Sequence, residues 1–187
     1  MPTVTAFGGL GAFGFGVFPG GALESIATIT VGSGGASSLT FSDIPSGFQH
    51  LQIRGIVRWA TGTDAYAMIP SFNSNTTASN YNRHYIYAEG ASAIAGYNGS
   101  VRYLGSGVNA NATASIFAAQ VIDILDYAST SKNKTVRSIH GYDANGSGFV
   151  QLDSHLWQTT SAITSLSVSG PVNFAQYTAL ALYGMRA

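Results

Sequence analysis

The sequence predicts an all-β protein: an antiparallel β-sandwich of jelly-roll type, preceded by a flexible Gly/Phe-rich N-terminal arm. Three observations carry this. Val, Ile, Thr and aromatic residues alternate with polar ones at period two, turn residues recur every eight to twelve positions or so, and no long segment keeps a helical period. Residues 1–22 make up the arm and residues 23–187 the sandwich domain.

The arm reads MPTVTAFGGLGAFGFGVFPGGA and carries no charged side chain; the first is Glu24. Gly at this density disfavours a regular helix or strand by roughly 0.5–1 kcal/mol per interior position. Phe7, Leu10, Phe13, Phe15, Val17 and Phe18 nevertheless load it with large apolar side chains. Each forgoes roughly 1.5–3 kcal/mol if left in water, so the expectation is that the arm docks on another protein. It lacks the Lys or Arg of a signal-peptide n-region, and Gly and Pro19 break its apolar run.

The domain is then read strand by strand. Ala27, Ile29 and Val31 alternate with Thr28 and Thr30, and Gly32 to Gly35 turn the chain. Leu39 and Phe41 alternate with Ser38, Thr40 and Ser42, and Ile44-Pro45-Ser46-Gly47 is a second turn. Leu51, Ile53, Gly55 and Val57 alternate with Gln52, Arg54 and Arg58, as expected of a half-buried strand. Residues 68–72 form a shorter strand, which Pro70 confines to an edge or bulge. Residues 73–84 read as a loop and residues 85–87 as a short strand. Residues 88–113 are Ala-, Gly-, Ser- and Asn-rich, with one brief strand at 101–104. The density of apolar residues over 116–126 hides any period, but β-branched Val121, Ile122 and Ile124 favour a strand. Residues 130–134 turn it into a partner at 135–142. Asn145-Gly146 is the strongest hairpin signal of the chain. Residues 149–157, 162–168 and 178–185 supply the last strands.

Composition bounds the function. Charged residues are 9% of the chain, eight basic and eight acidic, against about 25% in ordinary soluble domains. A neutral chain lacks the basic stripe that nucleic acid or an anionic membrane surface requires. Without cysteine there is neither a disulfide nor thiol chemistry. No run approaches the length of a membrane-spanning helix. A surface of Ser, Thr, Asn, Gly and Ala has little repulsion to keep copies apart, which suits a component of an assembly.

The chemical motifs are weak. Gly9-x-Gly11-x-x-Gly14 has the spacing of a dinucleotide fingerprint, but the segment after it cannot nucleate the helix the fingerprint needs. Asp143-x-Asn145-x-Ser147-Gly148 imitates half a calcium loop, yet position twelve is Ser154 rather than Glu. A hairpin turn accounts for the same residues. Asp123 and Asp126 point to opposite faces of a strand, so they do not flank one glycosidic bond. His50, His84, His140 and His155 have no ligand spacing and read as strand residues. Asn-x-Ser/Thr at Asn75, Asn98, Asn111, Asn133 and Asn145 reads as turn sequence. The expectation is a protein that is not an enzyme and holds no cofactor and no metal. Tyr81, Tyr85, Tyr87 and Tyr97, with Trp157, offer flat apolar faces with polar tips and are the candidates for glycan recognition.

SSLTFSDIPSGFQHLQIRGIVR, VIDILDYASTSKNKTVRSIHGYD, LWQTTSAITSLSVSG and NFAQYTALALYGM resemble a family of tailed-phage virion β-sandwich proteins. Members occur at tail-fibre ends and as small capsid-surface proteins, among them the cement proteins of short-tailed cyanophages. The resemblance covers residues 24–58 and 121–185 and leaves out the arm and residues 73–113. It implies a homotrimer fixed to the outer capsid surface as a cement (decoration) protein, with the major capsid protein as partner and no catalytic residues. The arm would insert between or onto capsid subunits. The alternative is the distal receptor-binding domain of a tail fibre or spike, reading host surface polysaccharide. A start at Met1 with a short arm and no fibre shaft favours the first.

Overall fold

The protein is described by a computed structural model covering residues 3–5 and 23–186. In chain order the strands are β1 (Thr3–Thr5), β2 (Leu23–Thr30), β3 (Ala36–Phe41), β4 (His50–Val57), β5 (Ala67–Phe72), β6 (Tyr81–Glu89), β7 (Ser92–Gly99), β8 (Gly105–Ser106), β9 (Ala118–Ile124), β10 (Lys134–Asp143), β11 (Gly148–Trp157), β12 (Leu166–Phe174) and β13 (Ala179–Met185). They form two antiparallel sheets. The larger has nine strands in the order β1-β2-β13-β4-β9-β10-β11-β6-β7, and the smaller has four, β3-β12-β5-β8. The expected sandwich is what the chain forms.

The core lies between the small sheet and one face of the large one. Ile29, Leu180, Leu182, Leu51, Ile53, Ile122 and Ile124 point inward from the large sheet. Leu39, Phe41, Met68, Phe72, Leu166 and Val168 meet them from the small sheet. Trp59 stacks on Phe174 with ring centroids 4.6 Å apart. Gly170 is what lets the indole in, because a Cβ there would stand 2.3 Å from the Trp59 ring.

Several expected boundaries move. Thr3–Thr5, assigned to the arm, pairs with Thr28 to Thr30 as β1, so residues 6–22 join two neighbouring strands of one sheet. The strand at 85–87 is the middle of the nine-residue β6. Within the supposed loop beyond it, Ser92–Gly99 is β7, paired with β6 from Glu89–Ser92 to Asn82–Gly99. Alanine and glycine gave β7 too little β-propensity to stand out. Residues 101–104 are not a strand. Residues 109–116 are irregular but not free, since the Arg58 guanidinium donates to the carbonyls of Ala110, Ala112, Thr113 and Ile116 at 2.9–3.0 Å. Lys134, expected in a turn, opens β10 fully buried and donates to the carbonyls of Ser129, Lys132 and Thr160. The last two strands start at Leu166 and Ala179.

Candidate functional site

Alternation along β9, β10, β11 and β6 gives each strand two faces, and in this half of the large sheet both are unusual. On the inner face the rows run Gln120–His140–Gln151–Tyr87, Ile122–Ser138–Asp153–Tyr85 and Ile124–Val136–His155–Arg83. Gln120, Ser138, His140, Gln151, Asp153 and His155 are all buried. Burying such groups is tolerable only when they bond to one another. Arg83 donates to Asp153 at 3.1 Å, and Gln151 donates to both oxygens of the same carboxylate at 2.9 and 3.0 Å. Ser138 Oγ and His155 Nε2 are 3.0 Å apart. Residues 101–108 close over the cluster. From this segment Tyr103 Oη reaches His140 Nε2 at 3.0 Å and Ser106 Oγ at 2.6 Å, and the Ser106 carbonyl accepts from Gln120. The Arg83 guanidinium lies over the Tyr103 ring at 3.7 Å and the Tyr85 ring at 4.5 Å.

Electrostatics follow from burial. Desolvation, and then the nearby Arg83 charge, lower the His140 pKa to about 4. The same causes, with His140 added, lower that of His155 to about 3. Desolvation raises the Asp153 carboxyl to about 6 against the pull of Gln151 and Arg83. At neutral pH both imidazoles are therefore uncharged. The 3.7 Å approach of His140 Nδ1 to Asp153 is accordingly not an ion pair, and Arg83–Asp153 is. Ser138 beside His155 looks like a nucleophile and its base. Yet the serine is fully buried, and an imidazole with a pKa about 3 is too weak a base to take its proton. The cluster holds the sheet to the 101–108 segment.

The outer face is the converse. One row across the strands reads Val121–Ile139–Leu152–Ile86–Ala95, and the next reads Ala119–Gly141–Val150–Ala88–Ala93. Ile139, Val150 and Ile86 are 52%, 56% and 55% exposed, far beyond what a covered sheet face shows. A polar row, Asp123–Arg137–Ser154–His84–Tyr97, borders them. A shallow depression of about 660 Å³ runs over Val121, Ile139, Gly141 and Val150. Beside it the His84 and Tyr97 rings pack against each other, centroids 4.7 Å apart and planes tilted by 40°.

The residues singled out by sequence do not converge. Phe7, Leu10, Phe13, Phe15, Val17 and Phe18 lie outside the described residues. Tyr81 and Trp157 require a correction as glycan contacts. They are 4% and 2% exposed, packed with Phe72 in the core, so no ligand reaches them. Tyr85 and Tyr87 are half-buried on the inner face, whereas Tyr97 stands exposed on the outer one. The calcium-like stretch is the β10–β11 turn. Asp143 Oδ1 accepts the Asn145 N–H, and Asn145 and Gly146 take φ of 59° and 115°. All four histidines lie in strands. Among the described residues, no three His, Cys, Asp or Glu side chains gather as metal ligands would. Ile86, Ile139, Val150 and Leu152 escaped notice because exposed and buried apolar residues alternate alike in sequence.

The site therefore defines a β-sandwich with a polar interior on one side and an uncharged apolar face on the other. No protein-family model, curated protein or solved structure matches the chain.

Proposed function

We propose that this protein is a structural component of a virion: a capsid cement protein that binds the outer surface of the major capsid protein lattice as a trimer and reinforces it. The observation that carries this reading is the apolar outer face from Val121 to Ala95, wide, uncharged and bordered by polar residues. Exposed apolar patches of this kind mark interaction surfaces. The segments that resemble phage virion proteins give the reading its particular partner, and the apolar residues of segment 6–22 offer further contact groups. Three subunits bound together raise the effective concentration of each contact, so modest individual contacts suffice.

The test is decoration of purified capsids stripped of this protein. Replacing residues 6–22 by a Gly/Ser linker of equal length, or Val150→Asp on the outer face, is expected to lower occupancy at least tenfold. Undiminished occupancy in both variants overturns the reading. A second reading, recognition of host surface glycans, is favoured by the tilted His84–Tyr97 ring pair beside Arg137 and Ser154. Saturable binding on a glycan array, lost in Tyr97→Ala, would support it over the capsid role.

A further inference from the structure

The large sheet ends on β7, and nothing in that strand protects the edge. Monomeric proteins blunt edge strands with charge, proline, a bulge or a covering segment. Ser92–Gly99 reads SAIAGYNG, without charge or proline, and pairs with β6 in unbroken register. None of its residues is buried, and among the described residues no strand pairs with its other side.

The hairpin fixes which backbone groups face out. Gly90, at φ 57°, opens a two-residue turn closed by Glu89 opposite Ser92. Such a closing pair exchanges hydrogen bonds, and bonded pairs then alternate with non-bonded ones. Ser92, Ile94, Gly96 and Asn98 thus bond to β6. Ala93, Ala95, Tyr97 and Gly99 turn their N–H and C=O groups outward.

We propose that β7 pairs antiparallel with β7 of a second copy, joining two nine-stranded sheets into one across a two-fold axis. Three features select another copy over a foreign peptide. The apolar row Ile139–Leu152–Ile86–Ala95 runs straight into the edge, and a two-fold with Gly96 on the axis lays the two copies' apolar rows diagonally beside each other, offset by one pair. In that register Ala95 meets Tyr97 of the second copy on the same face, and Ala93 meets Gly99. Charge also complements: Glu89 sits at the turn end of the hairpin, while Arg102 follows its open end. Antiparallel self-pairing brings opposite ends together. Lastly, an isologous contact needs one surface only, and this strand supplies both donors and acceptors. The contact is two-fold, so it goes beyond the capsid reading and joins copies that a three-fold axis does not relate.

Sedimentation of the full chain over a concentration series tests it. Even-numbered species are expected: a dimer, or a hexamer where trimers also form. Ala95→Pro removes one outward N–H and leaves the β6 bonds untouched, so it should halve the mass. The paired change Ala93→Lys and Ala95→Lys, which keeps the strand backbone, should do the same by placing like charges side by side. Monomers or trimers alone at high concentration overturn the proposal, as does an unchanged mass in both variants. Amide exchange supplies an independent reading in the unaltered protein. The Ala93, Ala95, Tyr97 and Gly99 amides should exchange at least tenfold more slowly in concentrated than in dilute solution. Loop-like exchange of these four at every concentration also overturns it. Capsid decoration that survives the loss of even-numbered species would leave the cement role standing without this contact.

Discussion

Near the start of the large sheet, β13 and β4 turn Leu180, Leu182, Leu51 and Ile53 inward and Ala181, Gln52 and Arg54 outward. A few strands along, β10 and β11 turn Ser138, His140, Gln151, Asp153 and His155 inward and Ile139, Val150 and Leu152 outward. The two regions share one sheet and one backbone geometry. They differ in what closes over the inner face. The first is covered by apolar side chains of β3, β12 and β5. The second is covered by residues 101–108, whose Tyr103 and Ser106 bring hydroxyls and carbonyls. A strand face is therefore sorted by the partner it meets, and polarity alone does not assign it to water.

The hardest test of this contrast is to remove the centre of the polar interior. Asp153→Ala leaves the Arg83 guanidinium, 15% exposed, without its carboxylate. The expected loss is about 3–5 kcal/mol of unfolding free energy in urea titration. A loss under about 1 kcal/mol would mean that the cluster is solvated and the inner face is not truly an interior.

A second change probes the apolar half. A Cβ on Gly55 would stand 2.1 Å from the Ala179 carbonyl oxygen and 2.7 Å from the Leu180 side chain. Gly55→Ala should therefore cost about 1–3 kcal/mol through overpacking, read as a lower denaturation midpoint with an unchanged slope. A neutral outcome would show that β4 and β13 separate more readily than their close register suggests.

Acid separates the halves by charge. His140 and His155 hold folded pKa values about 4 and about 3, below the unfolded 6.5, so the unfolded chain binds their protons first. Their contribution is complete above pH 6.5 and is lost as the pH falls toward those values. Asp153 runs the other way: raised from 3.8 to about 6, it favours the folded state as the pH falls through that window. Two histidines against one carboxyl leave a net uptake of about one proton on unfolding near pH 5, or about 1.4 kcal/mol per pH unit. The melting temperature should fall from pH 6.5 to pH 4, and His155→Gln should flatten the slope. A flat profile in the unaltered protein would contradict neutral buried imidazoles.

The smallest effect is expected where the sequence is most hydrophobic. Ile139→Gln on the outer face, at a position 52% exposed, should change stability by less than about 0.5 kcal/mol. Any effect should appear in association instead. A cost like that of Asp153→Ala would show that the outer face is a second interior.

Much of the architecture was legible before any coordinates. Asn145-Gly146 announced its hairpin, and the alternation from Leu51 to Val57 a half-buried strand; Pro70 pointed to an edge or bulge, but β5 lies between β12 and β8, with Pro70 just past its two pairs to β8. The hairpin of β6 and β7 was legible only in part, because Ala91-Ser92-Ala93 and Ala95-Gly96 carry little strand preference and are held by pairing with β6. The candidate surface was hidden for another reason. Polarity alone would put Ile139, Val150 and Leu152 in the core and His140 and Asp153 on the surface, since burial follows side-chain polarity in most strands, and the structure has the reverse.

By itself the sequence determined that the chain is all-β, where its strongest turns fall, and that its surface is almost without charge. Those properties reside in local residue preference and composition. Only the tertiary structure decided which face of β9, β10, β11 and β6 is the inside and which strand is left as the edge. A period of two names two faces without ranking them. The ranking comes from residues 101–108, far from β10 and β11 in the chain, which supply the hydrogen bonds that let the polar face be buried and leave the apolar face in water.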